Sequence, residues 1–563
     1  MARLLRRLIV VGLAGTLVLG LPFAASPGAG GSGQVEDFET GDFSRLPWRT
    51  SPVAPWFVQS DVQQAGTYAA RAGRVEDKGW SWLQVQVEVT AASAIGFWYR
   101  VSSEPDYDFL RFLVDGIEVG RWSGETGWQA FFHLVTPGKR TFRWEYVKDS
   151  SESVGEDSAW IDSIVFPVMR IPSVAVPACT ITIQLHQSIA EAIYRAPKGA
   201  VICLTEGTWK ATRIWVNKDV VLRGAGPDKT FLELYEDYWG LEVGGSANVT
   251  VEGCKLTRVL VKDMARLTIR DCTLGYLQAR DSSSATAVHS TIMNGAEFSA
   301  SAKGTFTDCF VGAIDLSDSA VLTMTGCDVW TERTAIEVTN RAGLYATGCR
   351  IAAEGFGVYG SCCEPVVTLE STIITGGYGV VAGTASKMTL TNCTISECYA
   401  SGVYVTGEAQ VALEGCRIVR NGWYSSEAGV RIGDNDLSVR RSPRVSLSNC
   451  TLEHNARGNL VVAFGSGTVE VRNTTIQKAG VNPKTGAVET PPYCSYYAGI
   501  YLGDGSTQLT VVDTRIVDNA GWGIVAALAK CGCPSYWGDF TGKVVLKGTN
   551  AIEGNRQGQL CIP

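Results

Sequence analysis

Methionine and histidine are scarce, at 6 and 4 residues in a chain of 563. So few methionines, with few long runs of helical period, argue against an all-α protein. No two histidines stand at the helical spacing of a metal-binding pair, and neither a Gly-x-Ser-x-Gly nucleophile elbow nor a glycine-rich phosphate loop occurs. Basic excess is missing as well. The net charge is -7, or -10 once Arg3, Arg6 and Arg7 are set aside, so no nucleic-acid partner is expected. No later stretch has 18 consecutive apolar residues, so no membrane span is expected in the mature chain. Cysteine is wholly absent from Val35 to Val168, although all 17 lie between Cys179 and Pro563.

What is present divides the chain. Hydrophobic residues at 45% against 19% charged can build a core, and 62 glycines signal many turns. Residues 1–26 read as an export signal: Arg3, Arg6 and Arg7, an apolar run from Leu8 to Leu21, then small residues around Phe23-Ala24-Ala25-Ser26. The mature protein is therefore expected to be secreted or on the cell surface. Residues 35–168 hold nine of the 16 tryptophans, residues 169–178 carry two prolines and read as a linker, and residues 179–563 form the remainder.

In residues 35–168, short alternating runs bounded by turn signals predict an antiparallel β-sandwich: Trp82 to Val89, Ile95 to Val101, Phe109 to Val114 before Asp115-Gly116, and Phe142 to Val147. The opening Asp37-Phe38-Glu39 and the closing Ala159-Trp160-Ile161-Asp162 resemble jelly-roll sandwiches of secreted bacterial carbohydrate enzymes and surface proteins. That resemblance implies a role for surface tryptophans on sugar faces, although Trp98 and Trp144 sit in strands and most tryptophans suit a core.

The last region opens with a short amphipathic helix, Gln187 to Ile193, and then repeats. A phrase of alternating apolar residues, a turn residue and a small inward residue recurs at Cys254, Cys272, Ser290, Cys309, Cys327, Cys349, Ser371, Cys393, Cys416, Cys450, Thr474, Thr514 and Asn550, spaced 18 to 40 residues apart. Repeats of about 20 residues without helices mean a β-solenoid. With the helical cap and Leu222-Arg223-Gly224-Ala225-Gly226-Pro227 in its first coil, this region resembles the pectate-lyase-like right-handed parallel β-helix superfamily. The fold class expected is thus all-β, a jelly roll followed by a right-handed β-helix of about 13 coils. The family's scaffold carries lyases, hydrolases, epimerases and adhesins, so the resemblance leaves the chemistry open. The Gly-His-Gly and Arg-Ile-Lys phrases of polygalacturonases and the Asp-Pro-His-Asp of alginate epimerases are absent, and Arg441-Ser442-Pro443-Arg444 is only distantly similar to the arginine-proline segment of pectate lyases.

Aligned coils sort polar residues into columns. The cysteines of the ladder should stack inward as small hydrophobes. The residues before them, among them Gly253, Asp271, Asp308, Gly326 and Asn392, should be left-handed turns, as should Asp263, Asp281 and Asp318. Asn421, Asn455, Asn519 and Asn555 suggest a second turn ladder. Cys179 and Cys203 are candidates for a disulfide, as are Cys494, Cys531, Cys533 and Cys561, with zinc at Cys531-Gly532-Cys533 the rival reading. Asp434-Asn435-Asp436 reads as an exposed loop or a calcium ligand set.

One column does not reduce to turns. The outward residue of the Gly-[Val/Ile]-x-[Val/Ile/Leu] strand is, coil by coil, Leu260, Gln278, Glu297, Asp315, Glu337, Tyr359, Val381, Tyr404, Arg431, Val461, Tyr501 and Val525. Glu297, Asp315 and Glu337 are the candidate catalytic residues, and Tyr359, Tyr404 and Arg431 the candidate substrate-binding residues. Neighbours about 4.8 Å apart approach the roughly 5 to 5.5 Å used by retaining glycosidases, and alternate members the top of the roughly 6.5 to 9.5 Å inverting range. Stacked acids should raise at least one pKa unless Arg280, Lys303 and Arg333 neutralise them. The same acids could take Ca2+. The partner expected is a polysaccharide or cell-surface glycan, bound without cleavage or processed by a lyase or hydrolase. The alternatives are a non-catalytic surface or adhesion protein with the β-helix as a spacer, and a periplasmic accessory factor for metal-centre assembly.

Overall fold

The computed structural model describes residues 34–149, 152–171, 177–211, 213–234, 240–425, 427–433, 442–465, 467–488, 497–532 and 539–563. The export signal, residues 172–176 of the linker, Asp434-Asn435-Asp436, Cys494 and Cys533 lie outside them.

The tryptophan-rich region folds as two packed antiparallel sheets. One orders Phe57–Gln59, Ala69–Arg71, Ser158–Val165, Ser93–Ser102 and Gln129–Val135; the other orders Met169–Arg170, Trp80–Val89, Gly138–Val147, Phe109–Val114 and Ile117–Trp122. Alternation buries one face of each, so Leu83, Phe97, Phe112, Phe142, Trp144 and Tyr146 meet in one core. Asp115 and Gly116, both at positive φ, make the tight turn between their strands. The first residues of the expected linker, Met169 and Arg170, pair with Val89 and Glu88 and complete this sheet. No described tryptophan of the sandwich is exposed. Trp144 and Trp160 are core, Trp80 and Trp82 face the solenoid under Arg350 and Arg143, and Trp98, Trp122 and Trp128 are half-buried.

The rest winds into stacked coils, a right-handed parallel β-helix. Helix α1 (Ile189–Arg195) closes its start, capped by the Ser188 hydroxyl accepting from the Glu191 amide and burying Ile189 and Ile193. Each coil adds one strand to a flat parallel sheet that runs from Ile181–Ile183 to Lys543–Lys547, and strand segments to a bent sheet that runs from Gly207–Ala211 to Gly558–Cys561. Inward Ile, Leu, Val and Cys from every rung form one continuous core.

Within it the eight ladder cysteines are buried and unbridged, their thiols directed at backbone carbonyls such as Arg270 O, 3.1 Å from Cys272. Burial pushes the Cys272 thiol up to about 12, and the place of all eight in the apolar core makes them packing residues. The preceding column is left-handed: φ is 49° at Asp271, 52° at His289 and 52° at Asn392. The ladder assignment at Ser371 is one residue early. Cys349, Thr372 and Cys393 share the rung position, as the Arg350–Ile373–Thr394 register fixes, and Ser371 occupies the left-handed turn at φ 48°. The buried asparagines are more than turns: the Asn421 amide donates to Asn455, Asn455 to Asn459, Asn459 to Asn519 and Asn519 to Asn555, at 2.7 to 3.1 Å. Disulfides join Cys179 to Cys203 and Cys531 to Cys561, which removes Cys531 as a zinc ligand.

The sandwich lies along the bent sheet. Arg49 pairs with Asp271 at 2.7 Å, Arg143 with Asp328 at 3.2 Å, Arg350 with Glu145 at 2.7 Å and Lys484 with Glu104 at 2.9 Å. Trp80, Val147 and Ala352 form a small apolar cluster at this seam.

Candidate functional site

The outward column is a single ladder. Glu297 pairs with Asp315, Asp315 with Glu337, Glu337 with Tyr359, Tyr359 with Val381, Val381 with Tyr404 and Tyr404 with Arg431. Its flanks explain why each acid faces out. Ala296 and Phe298, Ile314 and Leu316, and Ile336 and Val338 are all buried, so strand alternation turns the residue between each pair away from the core. Glycine sharpens the bend before the first acid. Gly295 has φ 116°, and a Cβ there would stand 2.6 Å from the Ala313 carbonyl oxygen of the next rung.

Asp315 is exposed, and Glu297 and Glu337 are half-buried. The Tyr276 hydroxyl donates to Glu297 Oε2 at 3.1 Å. Among the described residues no basic side chain pairs with any of the three acids, and Arg280, Lys303 and Arg333 point to solvent. Repulsion is therefore left uncompensated. Asp315 is held above the usual aspartate range, first by loss of solvation between its neighbouring strands and then by the charges of Glu337 and Glu297. Its surface stays open to water, so the charge contribution is screened. The Tyr276 phenol is raised too, by burial and then by Glu297. The three carboxylates do not gather into a cage: among the described residues none belongs to a group of three whose oxygens lie within 4.8 Å of one another.

Beyond the acids comes an aromatic strip that the column alone did not reveal. Phe356 stacks on Tyr359 with ring centroids 5.2 Å apart, Phe356 meets Tyr378 at 5.5 Å, and Tyr378 stacks on Tyr404 at 5.9 Å. Phe356 and Tyr378 share a rung position in the bend just before the column, so a recurring aromatic at that offset was the available signal. Arg431 ends the strip. Its guanidinium lies 5.4 Å from the Tyr404 ring centre and bonds Glu427 at 2.5 Å, so it braces the tyrosine and is itself buried.

Not every outward position reaches solvent. Leu260, Val381, Val461 and Val525 are buried; Val525 packs with Ala498 and Cys531 in a small cluster against Tyr501, Trp522 and Leu528. The open part of the ladder is thus Gln278 to Tyr359, with Tyr404 and Tyr501 farther along. Two concavities lie elsewhere: about 590 Å³ beside Leu185 and His186, and about 570 Å³ on the flat sheet among Lys387, Gln410, Arg444 and Thr468. Among the described residues no helix is long and apolar enough to cross a membrane.

No curated protein matches the chain. Among solved structures, a GH87 α-1,3-glucanase catalytic domain in complex with tetrasaccharides is similar at 11% identity over 94% of this chain and 100% of that one, with a TM-score of 0.33. The catalytic unit of a thermostable GH87 α-1,3-glucanase from Streptomyces thermodiastaticus gives 14% identity, 92% and 98% coverage and 0.35. The CBM22-1 xylan-binding domain of Xyn10C from Paenibacillus barcinonensis gives 12%, 26% and 100%, and 0.20. Residues 312–516 match the family model described as a right handed beta helix region, the fold that the stacked coils of this chain form.

Proposed function

We propose that this is an exported protein that binds a polysaccharide along the open ladder, with Glu297, Asp315 and Glu337 facing the sugar chain at one end and Tyr359 and Tyr404 stacking on its rings farther along. The observation that carries this reading is three carboxylates on consecutive rungs, with no basic side chain paired to them, leading straight into a continuous aromatic strip. Rigid parallel rungs repeat at about 4.8 Å, which gives an extended, periodic surface suited to an extended polymer, and carboxylates accept hydrogen bonds from sugar hydroxyls while aromatic faces cover the apolar side of a ring. The disulfides Cys179–Cys203 and Cys531–Cys561 fit an oxidising compartment, in keeping with the expected export signal.

Binding without cleavage ranks first because the acids lie on an open shelf. The Gly-His-Gly and Asp-Pro-His-Asp phrases that accompany catalysis on this scaffold are also absent from the chain. Should cleavage occur, Asp315 is the acid of choice, since its carboxyl is held above the usual aspartate range beside two further carboxylates. The test is a glycan array probed with the wild type and with the double variant Glu297→Gln/Glu337→Gln, which keeps shape and removes charge. Loss of the wild-type glycan signal is the expected outcome. A double variant that retains all of it makes the ladder plain surface.

A further inference from the structure

The sandwich holds a second acidic group, unrelated to the ladder, where the solenoid enters it. Glu104, Asp108 and Asp149 are 7%, 0% and 8% exposed. One carboxylate oxygen from each lies within 4.8 Å of the other two. Burial of three acids in one place needs compensation, and the protein supplies only part of it. Lys484 Nζ, from the solenoid, stands 2.9 and 3.1 Å from the two Glu104 oxygens and 3.1 Å from Asp149 Oδ2. The nearby Lys148 is engaged by Asp157 and Asp77. Lys484 is shared by Glu104 and Asp149, and among the described residues no basic side chain forms an ion pair with Asp108.

Asp108 shows where the deficit falls. Its Oδ1 accepts the Asp149 amide at 2.9 Å, but Oδ2 is fully buried with no hydrogen-bond partner. A buried carboxylate oxygen without a partner is strongly unfavourable. A proton or a cation would complete the group.

We infer that Glu104, Asp108 and Asp149 bind one hard divalent cation of the calcium class at the edge of the sandwich. The donor set is all oxygen, which suits calcium and not zinc. Two oxygens on opposite sides of a calcium ion, at about 2.4 Å each, stand about 4.8 Å apart, and the three oxygens of this group lie within that distance of one another. A divalent cation would offset the carboxylate charge and offer the Asp108 carboxylate a partner. The ion then sits beside the point where Lys484 lies 4.2 Å from the Tyr107 ring centre and the Tyr107 hydroxyl donates to Pro483 O at 3.1 Å.

The experiment uses the full chain stripped with a chelator, then titrated with calcium chloride by calorimetry and, in parallel, followed by thermal unfolding. One calcium per chain and a rise in midpoint temperature are expected. Asp108→Asn, isosteric and uncharged, should keep the far-ultraviolet circular dichroism and weaken binding at least tenfold; Glu104→Gln serves the same purpose if the first variant fails to fold. The ladder variant Glu297→Gln/Glu337→Gln should retain the calcium. No saturable binding at millimolar calcium, binding unchanged in the Asp108 or Glu104 variant, saturation by magnesium alone, or loss of calcium in the ladder variant would each overturn the assignment.

Discussion

Glu145 offers the most direct test of how the two parts of the molecule hold together. Its carboxylate is buried at the seam, with Arg350 at 2.7 Å, Arg143 at 2.9 Å and Arg111 at 3.4 Å. Burial by itself would raise its pKa. The guanidiniums of Arg350, Arg143 and Arg111 outweigh that and hold it at about 2, against an ordinary 4.5. Because the folded value is depressed, the stabilisation is fully present above pH 4.5 and disappears as the pH falls towards 2. At about 1.4 kcal/mol per unit this amounts to about 3 kcal/mol. Removing the charge at neutral pH strands the guanidiniums of Arg143 and Arg350 against Asp328 alone, and loss of one member of a buried pair costs about 3–5 kcal/mol. Glu145→Gln should therefore lower the free energy of unfolding in urea by that amount. Trp80 and Trp82, which lie under Arg350 and Arg143, report the seam by fluorescence. The double variant with Arg350→Met should recover part of the loss, since it removes a stranded cation. A single variant within about 1 kcal/mol of wild type, additive with Arg350→Met, would refute the seam as a coupled charge network.

Two further outcomes follow from the solenoid. Ile395 is wholly buried on the rung between Ile374 and Ile418, so Ile395→Asp should cost several kcal/mol, about 3 or more from an unpaired buried charge; an unchanged midpoint in thermal unfolding contradicts the register. Asp315 should titrate above the ordinary aspartate range in carboxyl carbon NMR and move down in Glu297→Gln/Glu337→Gln, because two of the causes of its shift are then gone; a value that stays put leaves desolvation as the whole explanation.

Much of this architecture is legible in the chain because a solenoid turns three-dimensional neighbours into a repeat. Once the cysteine rungs are aligned, period-two alternation specifies which residue faces out, and Glu297, Asp315 and Glu337 fall on consecutive rungs with no further information. Ser371 was misassigned because Ser371 and Thr372 are both small and polar, and only strand pairing tells the turn residue from the inward one. Packing of outward residues was illegible for a different reason. Val525 packs with Ala498 and Cys531, and Phe356 and Tyr378 belong to a bend whose length varies between coils. The seam is the extreme case: Arg143 reaches Asp328 and Glu104 reaches Lys484 across 185 and 380 positions, a separation over which no periodic pattern survives.

The two disulfides and the sandwich acquire a joint meaning when the β-helix is regarded as a one-dimensional stack. Such a stack melts from its ends, where a rung has one neighbour in place of two. Cys179–Cys203 lies at the first rungs and Cys531–Cys561 at the last, so covalent staples stand where fraying would begin. Between them the sandwich touches coils from Asp271 to Lys484, bridging roughly 45 Å of stack at about 4.8 Å per rung. It works as a splint, so that bending the rod or slipping one coil past another has to break ionic contacts at several points at once. The ladder is then held straight over its whole open length, and a polymer laid along it would meet evenly spaced groups on a rail that does not flex.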